Sequence, residues 1–166
     1  MKIKLLLVAI LYILGTSSFA AANPFDDASA AYERGDYVQA VKLFRQLAEQ
    51  GHQWAQRRLG AMFAEGKGVP QDYQEALKWY RLAAAQGNQF AQMNLAVMYS
   101  NGTGVPQDFV RAHTWFTLAV AASSGNSGDT ATKNRDSIAA KLNAEQIAAA
   151  QEMARRCQES KFKNCD

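Results

Sequence analysis

Across residues 54 to 125 the apolar positions recur at the spacing of one helix face, and the pattern is stated twice. Ala55, Leu59, Met62 and Phe63 stand at i, i+4, i+7 and i+8, and Ala91, Leu95, Met98 and Tyr99 repeat them 36 residues later. That period predicts two amphipathic helices, each with a single face to bury. A turn follows each, Gly66-Lys67-Gly68-Val69-Pro70-Gln71-Asp72 and Gly102-Thr103-Gly104-Val105-Pro106-Gln107-Asp108. The first two glycines can take left-handed backbone angles, and Pro70 stops the helix from resuming. Asp72 is placed to cap a second helix, with Glu75 as the other half of a capping box; Asp36 and Gln39 repeat the arrangement, while Asp108 keeps the cap and Arg111 breaks the box. The second helix carries Tyr73, Ala76, Tyr80 and Ala83 along one stripe with Trp79 and Leu82 beside it. So wide a stripe predicts contact both with its own partner helix and with the next unit.

Residues 54 to 86 laid on residues 90 to 122 match at 15 of 33 positions, which requires a duplicated supersecondary unit. An earlier, shorter copy precedes them. It aligns Ala40 with Ala76 and Ala112, Phe44 with Tyr80 and Phe116, and Tyr37 with Tyr73 and Phe109. Small and large residues in register allow close approach of helices with the gap beside them filled, so all three columns read as core. Gly51 and Gly87 end the second helices of the first two units, and Gly125 is expected to end the third after two extra residues near Ala121 to Ser124. A period in the thirties with helical patterning denotes stacked helical hairpins, each completing its core against its neighbours.

The combination Ala55-x-x-x-Leu59-Gly60-x-x-Phe63, Gly66-x-Gly68-Val69-x-x-Asp72, Ala76-x-x-Trp79-Tyr80-x-x-Ala83-Ala84-x-x-Gly87 resembles the Sel1-like repeat, a longer relative of the tetratricopeptide repeat. The next unit matches with Ala96 where Gly60 stands, and the opening unit, Gly35-x-Tyr37-x-x-Ala40-x-x-x-Phe44, resembles the tetratricopeptide form more closely. The resemblance implies an all-α fold, a right-handed superhelix of antiparallel helix pairs (an α-solenoid), serving as an adaptor or scaffold for other proteins. It brings no catalytic residues with it. Repeats are expected over residues 26–53, 54–89 and 90–125 within a segment 23–126. Residues 127–166 leave the pattern but keep helical spacing through Ala131, Arg135, Ile138 and Leu142, then, after Asn143 and Gln146, through Ile147, Ala150, Met153, Ala154 and Cys157. They are read as a capping helix pair with a polar tail.

The amino-terminal 22 residues alter the compartment expected. Lys2 and Lys4, a ten-residue apolar run from Leu5 to Leu14, and small residues to Ala22 have the layout of a secretory signal peptide. The run is about half of the ~20 residues that a spanning helix needs. Cleavage is expected after Ala22 or Ala20, giving a periplasmic or secreted chain with no stable membrane anchor. Loss of Lys2 and Lys4 takes the formal charge from +3 to +1, which offers no electrostatic case for nucleic acid. Cys157 and Cys165 lie eight residues apart; in an oxidising compartment a disulfide is the default, with two separate thiols as the alternative. Such a bond would pin the tail to the last helix and contribute roughly 2 to 3 kcal/mol.

The composition, 48% apolar and 20% charged, is that of an ordinary globular chain. Candidate chemistry is sparse. Gly66-x-Gly68 joins two helices and runs into proline, unlike a phosphate loop between strand and helix. His52 sits in a turn and His113 in a helix, without companions for a catalytic relay or a metal site, and both are read as structural or solvent-facing. No cofactor, metal or catalytic residue is expected. If the first helices line the concave side, the residues facing away from their core stripes are Arg57, Ala61 and Ala64 in one unit and Met93, Val97 and Ser100 in the next, with Asn94 at the margin. That strip is expected to hold a peptide or helix of a partner protein, with Arg57 meeting a carboxylate or carbonyl; the competing occupant is the chain's own carboxy-terminal helices. Function is read as a monomeric, non-enzymatic interaction scaffold. The alternatives are an envelope hydrolase, cell-wall acting or β-lactamase-like, or a structural part of envelope or polysaccharide-export machinery; the cysteine pair per repeat of the cysteine-rich members for which hydrolysis has been suggested is missing here.

Overall fold

The computed structural model describes residues 23–163 and 165; the segment read as a signal peptide lies outside the described residues. Eight helices follow in order: α1 Pro24–Glu33, α2 Tyr37–Glu49, α3 Gln53–Glu65, α4 Tyr73–Ala84, α5 Gln89–Asn101, α6 Phe109–Ala122, α7 Asn126–Ala139 and α8 Ala144–Glu159. Each of the first six packs on its sequence neighbours, so the hairpins α1–α2, α3–α4 and α5–α6 form a continuous α-solenoid with odd-numbered helices in one layer and even-numbered helices in the other. Among the described residues no helix is long and apolar enough to cross a membrane.

The columns read from the sequence account for most of the interior. Ala40, Ala76 and Ala112 are fully buried, and Phe44, Tyr80 and Phe116 lie beside them in the core. The third column behaves differently. Tyr73 is exposed and Tyr37 and Phe109 are only partly buried, because these residues support the glycine loop of the following unit. Gly68 lies against the Tyr37 backbone and Gly104 against Tyr73, so this column forms the seam between units. Lys67 reinforces the first seam: its ammonium donates to the Tyr32 hydroxyl at 2.8 Å and pairs with Glu65 at 2.7 Å.

The helix ends follow local chemistry. Gly66 and Gly102 terminate α3 and α5 with φ of 67° and 70°. In the turns that follow, Gln71 donates to the Ala64 carbonyl and Gln107 to that of Ser100, both at 2.8 Å. These side chains satisfy carbonyls that a helix end leaves unpaired. Asp36, Asp72 and Asp108 accept from backbone N–H groups at the starts of α2, α4 and α6. The second half of the box expected at Asp72 is absent, since the Glu75 carboxylate accepts from Trp79 Nε1 at 3.1 Å and from Lys78. Arg111 instead returns to Asp108 as an ion pair at 2.8 Å. The reciprocal box is made by Asn143 and Gln146 at the start of α8.

Two further expectations are corrected. Gly125 does not end α6, which stops at Ala122; it is the residue before α7, with φ of 59°. Leu82, expected to pack between units, is 44% exposed. Beyond α6 the stacking changes: α7 and α8 both pack on α6 and make little contact with each other. The Thr114 hydroxyl of α6 donates to the Ala150 carbonyl of α8 at 3.2 Å. Cys157, fully buried, is bonded to Cys165, which draws the tail back against the helices.

His113 of α6 is buried. Burial lowers its pKa, Arg135 of α7 lowers it further, and Asp136 opposes them in part. The fold therefore favours the neutral ring. Its contribution is complete above the ordinary value of 6.5 and is lost as pH falls below it, because the unfolded chain then binds the extra proton. Urea midpoints are expected to fall from pH 7 to pH 5.5, and His113→Gln is expected to flatten that slope.

Candidate functional site

The outer face of α3 and α5 is positioned by polar side chains that repeat with the hairpins. His52 and Asn88 cap the two helices, His52 Nδ1 accepting from the Ala55 N–H at 3.3 Å and Asn88 Oδ1 from that of Ala91 at 3.0 Å. The His52 ring is stacked on Phe25 at 5.1 Å. Gln56 and Gln92 are buried one turn further on, and their Nε2 atoms donate to the carbonyls of Ala48 and Ala84. Each glutamine thus bonds the end of the preceding even-numbered helix to the next hairpin. A buried amide left unpaired would cost about 1 to 3 kcal/mol, so these contacts fix the azimuth of α3 and α5. Their identity 36 residues apart was the sequence signal for this role, and apolar periodicity passes over it.

On that face the residues expected to bind a partner form two parallel rows. Arg57, Ala61 and Ala64 are partly buried on α3; on α5, Met93, Asn94 and Ser100 are partly buried and Val97 is 41% exposed. Both rows extend one turn towards the helix starts, to Trp54 and Phe90, which sequence reasoning did not single out as surface residues. They are 40% and 36% exposed, with ring centroids 5.9 Å apart. The Arg57 guanidinium lies 5.7 Å from the Phe90 centroid. Its Nε is buried without a hydrogen-bond partner, and burial is the main cause that lowers its pKa, although a guanidinium remains charged throughout the working range.

Further along, a dimple of about 170 Å³ lies between Ala64, Tyr80, Asn94 and Val97. The Tyr80 hydroxyl is hydrogen-bonded to Asn94, and burial raises its pKa above the usual phenol range. Val97 and Ser100 also border a notch of about 240 Å³ with Asn134, Ser137 and Ile138 of α7 and Lys141 just beyond it. Hence α7 flanks the far end of the strip, while α8 packs on α6. The face offers apolar surface, one desolvated cation and small residues in the middle; the residues brought together there include no nucleophile paired with a base.

The Sel1 repeat model matches residues 29–52, 55–88 and 89–124, one match for each of the first three hairpins. The chain belongs to the Sel1 repeat family. Among solved structures, the Sel1 chain is similar to c5321, a protective antigen present in uropathogenic Escherichia coli strains and displaying an SLR fold, at 32% identity with a TM-score of 0.74 over 84% of this chain and 31% of that one. It is also similar to a Sel1 repeat protein from Oxalobacter formigenes, at 31% identity with a TM-score of 0.57 over 60% of this chain and 40% of that one. The Sel1 chain therefore spans less than half the length of either. No curated protein matches it. Sel1 repeats serve in general as scaffolds for protein–protein interaction, and the fold is typically non-enzymatic.

Proposed function

We propose that this protein is an exported adaptor that grips a segment of another protein along the outer face of α3 and α5, taken as the concave side of the superhelix. The observation that carries the reading is the exposed Trp54–Phe90 pair beside Arg57 at the head of two apolar rows. Aromatic and arginine side chains are the usual anchors of binding energy. An extended or helical segment would set an apolar side chain against Trp54 and Phe90, carry a carboxylate or carbonyl to Arg57, and lay small side chains over Ala61 and Ala64. The face ends where α7 flanks Val97 and Ser100. Residues 23–126 form the binding array on this reading, and 127–166 close it.

The compartment is part of the proposal. The leader-like sequence and the Cys157–Cys165 bond both favour export to an oxidising space, and intact-mass measurement of the exported protein should give an amino terminus after Ala22 or Ala20. The site is tested by capture from envelope extracts and identification of what is retained. Trp54→Ala, Arg57→Glu and Val97→Asp are expected to lower capture of the same partner at least tenfold without changing the circular dichroism spectrum. Unchanged capture by all three folded variants would retire the assignment. Light scattering should give a monomer.

A further inference from the structure

A small cavity recurs with the repeat, each copy lined by an aromatic of one core column. The first, of about 190 Å³, is bordered by Ser29, Tyr32 and Glu33 of α1, Phe44 of α2 and Arg58 of α3. The second is the dimple at Tyr80 and Asn94, and Phe116 borders the notch beside α7. Arg58 and Asn94 occupy the same position 36 residues apart, and Glu33 and Ala64 each stand two residues before the turn glycine of their unit, Gly35 or Gly66. In the second cavity the Tyr80 hydroxyl is hydrogen-bonded to Asn94, so its polar groups satisfy one another. In the first, Phe44 has no hydroxyl, and alanine and asparagine give way to an anion and a cation on different helices.

These charges are placed by their neighbours. The Arg58 guanidinium lies 5.7 Å from the centroid of the Tyr32 ring, and contact with an aromatic face holds a guanidinium without consuming its N–H donors. The Tyr32 hydroxyl in turn accepts from Lys67, whose charge is met by Glu65. Ser29 Oγ donates to the Phe25 carbonyl at 2.9 Å, and its lone pairs can still accept. Among the described residues neither Glu33 nor Arg58 is in an ion pair, with the other or with a third group. The volume is below the ~300 Å³ at which pockets for drug-sized ligands begin, so a ligand must carry both charges on a few atoms.

We propose that this cavity binds a free α-amino acid with a small apolar side chain. Its carboxylate takes two parallel N–H donors of Arg58, its ammonium meets the Glu33 carboxylate and the Ser29 hydroxyl, and its side chain lies against Phe44 and Tyr32. A single ion pair at a partly exposed rim contributes little. Two opposite charges held apart discriminate against plain anions and plain amines, each of which leaves one charge of the site unmatched. The site lies between α1 and α3 and shares no residue with the face of Trp54, Arg57 and Phe90, so it does not depend on the docking proposed there.

Titration calorimetry of the disulfide-bonded protein with L-alanine and L-valine is expected to show saturable binding. Propionate and isovalerate, which lack the ammonium, and the two amino acid amides, which lack the carboxylate, should bind at least tenfold more weakly. Glu33→Gln and Arg58→Gln should each weaken amino acid binding at least tenfold, and in Glu33→Gln isovalerate should bind as well as valine. Glu33 is exposed, so its variant and the ligand series decide the matter even where circular dichroism shows Arg58→Gln to be misfolded. Trp54→Ala should leave binding unchanged. No saturable binding of either amino acid, unchanged affinity in Glu33→Gln or in folded Arg58→Gln, or loss of binding in Trp54→Ala would overturn the proposal. Equal affinity of the unaltered protein for valine and isovalerate would overturn it in favour of a plain anion site.

Discussion

Replacing Gly68 by alanine is expected to destabilise the protein by about 3 kcal/mol or more, in the range reserved for a strained backbone or a disrupted core. Two costs combine. The residue has φ of +73°, where a side chain adds about 1 to 2 kcal/mol. A Cβ there would also stand 2.3 Å from the Tyr37 carbonyl oxygen, a backbone atom at the start of α2 that cannot rotate away. Gly35→Ala separates the two costs, because Gly35 has φ of +80° and open space around its Cβ position; it should cost only the conformational part, about 1 to 2 kcal/mol. At this chain length each kcal/mol lowers the melting temperature by roughly 2 to 4 °C. Calorimetry should therefore show a fall of roughly 6 °C or more for Gly68→Ala and a clearly smaller one for Gly35→Ala. Equal falls would mean that the seam between the first two hairpins yields easily.

The second large effect is expected from one substitution made in two copies of the repeat. Leu118→Ala removes a side chain that is 1% exposed and should cost about 2 to 5 kcal/mol, the transfer term plus the cavity left behind. Leu82→Ala changes the same repeat position on α4, where the side chain is 44% exposed, and should cost less than about 1 kcal/mol. Urea denaturation of both variants measures the difference. A small effect at Leu118 would show that the surrounding core collapses into the space left behind.

Most of the solenoid was legible because its determinants are local and repeated. The i, i+4, i+7, i+8 stripes, the glycine turns and the aspartate caps each act within a few residues, and duplication doubled every signal. What was illegible depended on which surface met which. Tyr73 and Phe44 have the same character in sequence, but one supports a loop at the surface and the other fills the core. Leu82 read as part of a stripe that touches the next unit, yet it is 44% exposed, whereas Leu118 at the same repeat position is 1% exposed. Glu75 was placed correctly for a capping box and was taken by the Trp79 indole, a competition that no spacing rule resolves. The candidate face was half legible: the rows beginning at Arg57 and Met93 follow from helix geometry, while Trp54 and Phe90 were not singled out, because hydrophobicity alone does not distinguish an exposed aromatic from a buried one.

The way α7 and α8 straddle α6 sets how such an array can lengthen. A fourth hairpin appended after Ala122 would find its berth already taken, whereas one inserted between Gly87 and Asn88 would meet a junction identical in kind to those on either side: a buried glutamine reaching back to a helix end, and a glycine settling on a tyrosine. Growth is thus directed to the middle of the chain, and a variant with an internal duplication there should remain folded with its two ends unaltered, while the layer of odd-numbered helices becomes longer by one member.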